Sequence, residues 1–225
     1  MKFPKDWLQN DSLSELITSE LRLQIINGDF ENGSVLSENK ISSLFETSRS
    51  PVREAFKTLE IEGLVNLGRM GATVQGLDEE GIRELYDVRF LLENFCVKKI
   101  YHDFDSDRAS EFYRILDLMK FHAKYNDFTE FAYQDLLFHE TMILLADHKR
   151  VLYFWKNIRN IILCFVLVAT EKRFKEEKDK IGNLINEHKL LIDAMVEKNE
   201  QKIDDWMKDH LLDTNASVLS AYLKK

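Results

Sequence analysis

The chain has 225 residues, 44% hydrophobic and 31% charged, with only eight glycines and two prolines. This composition supplies a sizeable core, favours helix, and excludes a large sheet protein or a disordered chain. A net charge of −8 leaves no global basic field for nucleic acid, so any DNA contact has to be local.

The two cysteines, Cys96 and Cys164, lie far apart in apolar helical stretches and form no CxxC pair. They read as buried structural thiols rather than a disulfide framework, which suits a reducing compartment. The opening MKFPKDWLQN lacks the apolar core of a signal peptide. The longest apolar run, IILCFVLVA at 161–169, is shorter than the about 20 residues a membrane helix needs. It is expected to be a core helix, with the protein in the cytoplasm and no membrane contact.

Turn signals crowd the first third: Asn27-Gly28, Asn32-Gly33, Pro51, Gly63, Gly68, Gly71 and Gly76. Long helical patterns fill the rest. The stretch GLDEE at 76–80 therefore marks a boundary between residues 1–76 and residues 77–225.

In SLSELITSELRLQIING, Leu13, Leu16, Ile17, Leu21 and Ile25 keep helical spacing, and Gly28 can stop the helix. A second helix is expected in VLSENKISSLFETS, with Ser37 as N-cap. The third lies in SRSPVREAFKTLEIEGLV. Pro51 is tolerated only in a first turn, so this helix starts at about Ser48 to Ser50. Val52, Phe56, Leu59 and Ile61 give it an apolar face, and Gly63 ends it. LVNLGRMGATVQ then reads as two strands around a Gly-Arg-Met-Gly turn. Three helices and a hairpin in this order make a winged helix-turn-helix.

In that motif the second helix of the pair enters the major groove with its N-terminal residues toward base edges. Arg49, Arg53 and Lys57 recur every four residues, hence on one face of the third helix. An arginine can bond guanine O6 and N7 together. Ser48 and Ser50 can bond phosphates at the helix N-terminus, and the hairpin tip, Arg69 to Gly71, can approach the DNA backbone or minor groove. The same spacing also fits a solvated face, because Glu54 and Glu60 lie nearby. Residues 1–76 carry eight basic against eleven acidic side chains.

The segments LSENKISSLFETSRSPVREAFKTLEIEGLV and GRMGATV resemble the GntR family of bacterial transcription regulators over roughly residues 10–76. The resemblance implies operator binding as a homodimer on palindromic DNA, with Arg49 and Arg53 reading bases and Gly71 near the minor groove. Some members carry a basic residue early in the second helix where this chain has Asn39 followed by Lys40, so both are candidate DNA contacts.

Residues 78–222 read as about six helices, broken at DFDSD (103–107), YNDF (125–128) and DHK (147–149). Arg89 and Glu93 stand four apart on one helix, as a plain salt bridge or as an arginine turned inward for an anion. Of six histidines, His102, His122 and His148 are expected at the surface near helix ends. Asp135 and His139 share a helical face, while His188 and His210 belong to two later helices, each among apolar residues. One Asp and three His suit a borderline divalent ion, zinc first, with nickel or manganese as alternatives. Taken singly, each histidine equally fits a satisfied core position.

DVRFLLE, DLLFHETM, NEHKLLIDAM and MKDHL resemble the all-helical FCD effector domain of the FadR-like branch. The resemblance implies that Asp135, His139, His188 and His210 bind a divalent metal inside a helical bundle. It also implies that a small carboxylate effector binds at the open metal positions, with Arg89 as its partner. The expected fold is mainly α, a winged helix-turn-helix with a small β-hairpin wing followed by an all-α bundle. The expected function is a ligand-responsive transcription regulator, a repressor in most members. A metal-dependent hydrolase using the Asp/His3 site is the alternative, although Glu140 and Glu187 should point away from the ligands.

Overall fold

The computed structural model describes residues 1–8 and 12–222. They form two compact units that divide between Gly81 and Ile82.

The first unit is built from α1 (Leu13–Ile26), β1 (Val35–Leu36), α2 (Glu38–Leu44), α3 (Arg49–Ile61), β2 (Val65–Gly68) and β3 (Gly71–Val74). Ser12 and Ser37 cap α1 and α2, accepting bonds from the Glu15 and Lys40 amides. Both satisfy donors that a helix start leaves orphaned. Helix α3 begins one residue after Ser48, with Pro51 in its first turn, and Gly63 follows its end at φ +74°. Its core face is Val52, Ala55, Phe56 and Leu59. Ile61, expected on that face, is instead 87% exposed, because the helical rotation from Leu59 carries it to the solvent side. Leu13 is likewise exposed, in the first turn of α1.

Arg22 of α1 clamps α3 from below. Its Nε and Nη2 each donate at 2.7 Å to the two carboxylate oxygens of Glu62, just past the end of α3. Arg22 is buried, so this fork-on-fork pair fixes how α1 meets α3.

The wing is a three-stranded antiparallel sheet of order β1-β3-β2, not a hairpin alone. Strand β1 has two residues, too few to show alternation in sequence. It pairs Val35 with Thr73 and Leu36 with Ala72. Arg69 and Met70 form the tip between Gly68 and Gly71. Gly71 has φ +132°, and a Cβ there would meet the Leu36 carbonyl oxygen at 2.2 Å and the Ser37 Cα at 2.9 Å. Glycine is therefore required for β1 to lie against β3.

The second unit holds α4 (Glu79–Ile100), α5 (Ser106–Lys124), α6 (Phe128–Leu145), α7 (Lys149–Glu176), α8 (Ile181–Val196) and α9 (Glu200–Tyr222), with α4 starting just before the division. The breaks fall where the sequence placed them, with two more at 177–180 and 197–199. Helix α6 packs on α5 and α7, α8 on α5 and α9, and α7 on α9. By length and composition α7 could cross a membrane, but its apolar centre, Ile161 to Val168, is buried in this unit. Both cysteines are buried and neither forms a disulfide.

Gly71→Ala should cost at least about 1 kcal/mol, since the new methyl meets backbone and the positive φ disfavours it. Thermal melting of the two proteins side by side checks this; an unchanged transition would mean β1 can shift freely.

Candidate functional site: a metal centre and a nucleic-acid interface

Four helices of the second unit converge on one buried point. Helix α6 brings Asp135 and His139, one turn apart on its inner face; α8 brings His188, α9 brings His210, and α4 brings Arg89 and Glu93. One ligand-capable atom from each of the three histidines lies within 4.8 Å of the others. His139 and His188 are fully buried, and Asp135 nearly so.

The outer hydrogen bonds decide which histidine atoms face this point. Nδ1 of His139 lies 2.9 Å from Glu93 Oε2, and Nδ1 of His188 lies 2.8 Å from the Leu184 carbonyl. Both nitrogens therefore donate outward, leaving Nε2 with its lone pair inward. His210 is turned the other way: its Nε2 lies 3.4 Å from Thr214 Oγ1, so Nδ1 faces in. The ring of His210 is stacked on Trp206 at 4.4 Å and on His139 at 5.0 Å.

The inward atoms, His139 Nε2, His188 Nε2, His210 Nδ1 and Asp135 Oδ1, are buried and have no hydrogen-bond partner. His188 Nε2 and Asp135 Oδ1 are 3.1 Å apart. With the His188 proton on Nδ1, neither atom of that pair can donate, so the contact sets one lone pair against another. A cation relieves that repulsion. Two ligands about 2.1 Å from one ion stand roughly 3.0–3.4 Å apart at tetrahedral or octahedral angles. The Asp135–His188 separation matches that spacing, and the three histidine atoms within 4.8 Å of one another form a group that could close on a divalent ion of the zinc type. Buried lone pairs without partners are costly otherwise.

Electrostatics agree with that fit. Burial lowers the pKa of His139 despite the adjacent Glu93, and lowers that of His210 further. Both rings are then neutral, as a ligand must be. Burial opposes ionisation of Asp135, while the Arg89 guanidinium favours it. For Glu93 too burial opposes ionisation, yet Arg89 and then His139 bring it down to about 2. Arg89 Nε donates to Glu93 Oε1 at 2.7 Å while its Nη1 stays buried without a partner. The pair is thus both the local salt bridge and an inward arginine with a spare donor. Arg89, Tyr86 and His210 line one small cavity. A larger polar cavity of about 270 Å³ lies between α7, α8 and α9, lined by Lys172, Arg173, Asn183, Asp213 and Ser217 among others. Arg173, Asp213 and Ser217 also line a smaller cavity that reaches Asp135 and His210.

Of the other histidines, His102 is exposed as expected. His122 and His148 are half-buried with local duties: His122 meets Asp127, and His148 Nδ1 accepts from the Val151 amide to cap α7. Glu140 is turned away, accepting from Trp155 Nε1 and Arg159 Nε. The roles of Glu93, Trp206 and Thr214 went unread in the sequence. Each carried a spacing signal there: Glu93 stands four residues from Arg89, and Trp206 and Thr214 stand four residues either side of His210.

In the first unit, Asn39, Lys40, Ser48, Arg49, Ser50, Arg53, Lys57 and Arg69 are all exposed. Gly71 is half-buried against β1. Arg49, Arg53 and Lys57 share the outer face of α3. Two of these cations have acidic neighbours: Arg53 Nε donates to Glu38 Oε1 at 2.8 Å, and Lys57 Nζ to Glu54 Oε1 at 2.9 Å.

Residues 13–74 match the bacterial regulatory proteins of the gntR family, and residues 84–213 match the FCD domain. A gluconate operon transcriptional repressor of Bacillus licheniformis is 35% identical over 99% of this chain and 92% of its own length. Its namesake in Bacillus subtilis (strain 168) is 38% identical over 90% and 87%. Among solved structures, a GntR transcriptional regulator from Rhodococcus sp. RHA1 covers 93% of this chain and 98% of its own, with TM-score 0.67 and 28% identity. The structure of E. coli McbR/YncC reaches TM-score 0.71 at 16% identity, a likeness of fold alone. These families and relatives are transcriptional regulators, not enzymes, so the hydrolase alternative is dropped.

Two outcomes are expected of the metal centre. Unfolded histidines take up protons near 6.5, while His139 and His210 do so only at lower pH. The unfolded chain then binds more protons between those values, so stability is present above about pH 6.5 and is lost as pH falls. Glu93 adds a further loss from about 4.5 toward 2. The melting temperature of metal-free protein should therefore fall between pH 7 and pH 5; a flat profile would contradict buried neutral rings. Second, Glu93→Gln should weaken zinc binding by about 10–100-fold, read by competition with a chromogenic chelator. Unchanged affinity would show that Glu93 does not orient His139.

Proposed function

The chain belongs to the GntR family of bacterial regulators with an FCD domain, and from this premise we propose a metal-dependent repressor released from its operator by a sugar acid. The observation that carries the proposal is the set of four inward, unpartnered buried ligand atoms with the spare Arg89 donor beside them. Asp135, His139, His188 and His210 would hold the ion, zinc first, with nickel or manganese as alternatives. The bound ion supplies positive charge and open positions for a carboxylate. Glu93 holds the His139 tautomer and aims the Arg89 fork, whose free Nη1 can take a carboxylate oxygen. The polar cavity beside the centre offers donors from Lys172, Arg173 and Asn183 and an acceptor on Asp213, a mixture that suits hydroxyl groups. Gluconate is the first candidate, since the relatives are named for the gluconate operon.

Arg49, Arg53 and Lys57 on α3 would meet base edges and phosphates, with Ser48, Ser50, Asn39, Lys40, Arg69 and Gly71 around them. The protein would bind as a homodimer to a palindrome in the bacterial cytoplasm. The ligand acts by its differential affinity for the two states of that dimer.

Selection of bound duplexes from a random pool should enrich a palindrome, and D-gluconate should weaken binding of zinc-loaded protein to it. Arg89→Lys, which keeps the charge but loses the fork, should raise the gluconate needed by about tenfold while zinc stoichiometry stays. Operator affinity insensitive to gluconate would remove the sugar acid from the proposal. Loss of zinc in Arg89→Lys would instead place Arg89 in the metal support.

A further inference from the structure

The first unit contains two Arg–Glu pairs of opposite geometry. Buried Arg22 meets Glu62 with both Nε and Nη2, saturating the fork. Arg53 meets Glu38 through Nε alone, at 2.8 Å, and its side chain is 58% exposed. The Nε bond leaves both Nη nitrogens outside the pair. Glu38 is the first residue of α2, whose start is fixed by Ser37 accepting from the Lys40 amide, so the Glu38 side chain springs from a capped helix start. A free arginine samples many rotamers at a substantial entropic cost on ordering. An arginine tethered by Nε presents its two terminal nitrogens as a preset fork.

We propose that Glu38 is a specificity-determining positioning residue. By holding Arg53 through Nε, it aims the Nη1/Nη2 fork at a guanine edge and discourages the same guanidinium from settling on a phosphate. Two physical effects act together. Tethering reduces the freedom lost on base contact. The fixed negative charge next to Arg53 also repels nearby phosphate oxygens, so a backbone contact gains less than a bidentate contact to guanine O6 and N7. The ion pair holds the Glu38 carboxyl below its ordinary range, with Arg53 the first cause and Arg49 a lesser one, so the charge is present at neutral pH. Lys57 is tied differently, to Glu54 on its own helix with both side chains about 60% exposed, and gets no aim from α2. The inference rests on the reading that Arg53 contacts a base.

The test uses the full-length protein, its selected operator, operators with each half-site base pair replaced in turn, and random duplex, at several salt concentrations. Glu38→Ala should lower the operator-to-random affinity ratio by about tenfold. The lost discrimination should fall at the same base pair that Arg53→Ala relaxes, while affinity for random duplex holds or rises. The double variant should discriminate no worse than Arg53→Ala alone. Glu38→Gln, which keeps shape and an acceptor but no charge, should lie between wild type and Glu38→Ala. Its melting curve checks that the fold is kept. If Glu38→Ala tightens operator and random duplex equally, the residue is only a repulsive charge and the proposal fails. It also fails if discrimination drops at base pairs other than that of Arg53. Should Arg53→Ala itself leave discrimination unchanged, the base-reading role falls and Glu38 positioning falls with it. If Arg53→Ala relaxes one base pair and Glu38→Ala relaxes none, only the positioning is lost.

Discussion

The centre of the second unit depends on one buried carboxylate. Glu93 accepts from Arg89 on one oxygen and from His139 on the other. Its negative charge is tolerable inside the unit only because Arg89 stands against it. In return it fixes the proton of His139 on Nδ1, which turns the second ring nitrogen inward. The inward lone pair of His139 and the orientation of the spare Arg89 donor follow from that arrangement, while the Leu184 carbonyl and Thr214 orient His188 and His210. For His210 the Thr214 hydroxyl takes the outward nitrogen, and Trp206 stacks on the ring.

The first unit solves a different electrostatic problem. It is acidic in total yet must offer cations to DNA. One face of α3 and the wing tip carry Arg49, Arg53, Lys57 and Arg69, and Arg53 and Lys57 are each paired with a carboxylate. Such a surface has weak affinity for arbitrary duplex and depends on a few directed contacts. Repression at a defined operator needs that balance more than it needs raw affinity.

Much of this was legible in the sequence because the relevant signals are local. Ser37 as a cap, Pro51 in a first turn, and Gly63 after a helix are short-range rules, and the elements form where those rules put them. The Asp135–His139 spacing likewise fixed two groups to one helix face before any tertiary structure was known. What sequence could not supply was convergence. Nothing in the neighbourhood of residue 93 says that its carboxylate meets His139 of another helix, and the stacking of His210 on His139 emerges only when α9 is turned toward α6. The exposure of Ile61 has the same origin: its apolar character suggested burial, but helical rotation decided otherwise. Strand β1 leaves no mark in the sequence because two residues carry no period, and it exists only through its pairing with β3.

That short strand has a mechanical result. Gly71 sits so close to Leu36 and Ser37 that the wing is seated on the residue capping α2, leaving no gap for it to swing. Wing tip, capping serine and the start of α2 are thus parts of a single block. Evolution can exchange Arg69 or Met70 to change what the tip touches, but it cannot re-aim the tip without rebuilding the entry to α2. Variation in operator choice among relatives should accordingly appear as changes of side chain on a constant frame, rather than as changes in the reach of the wing.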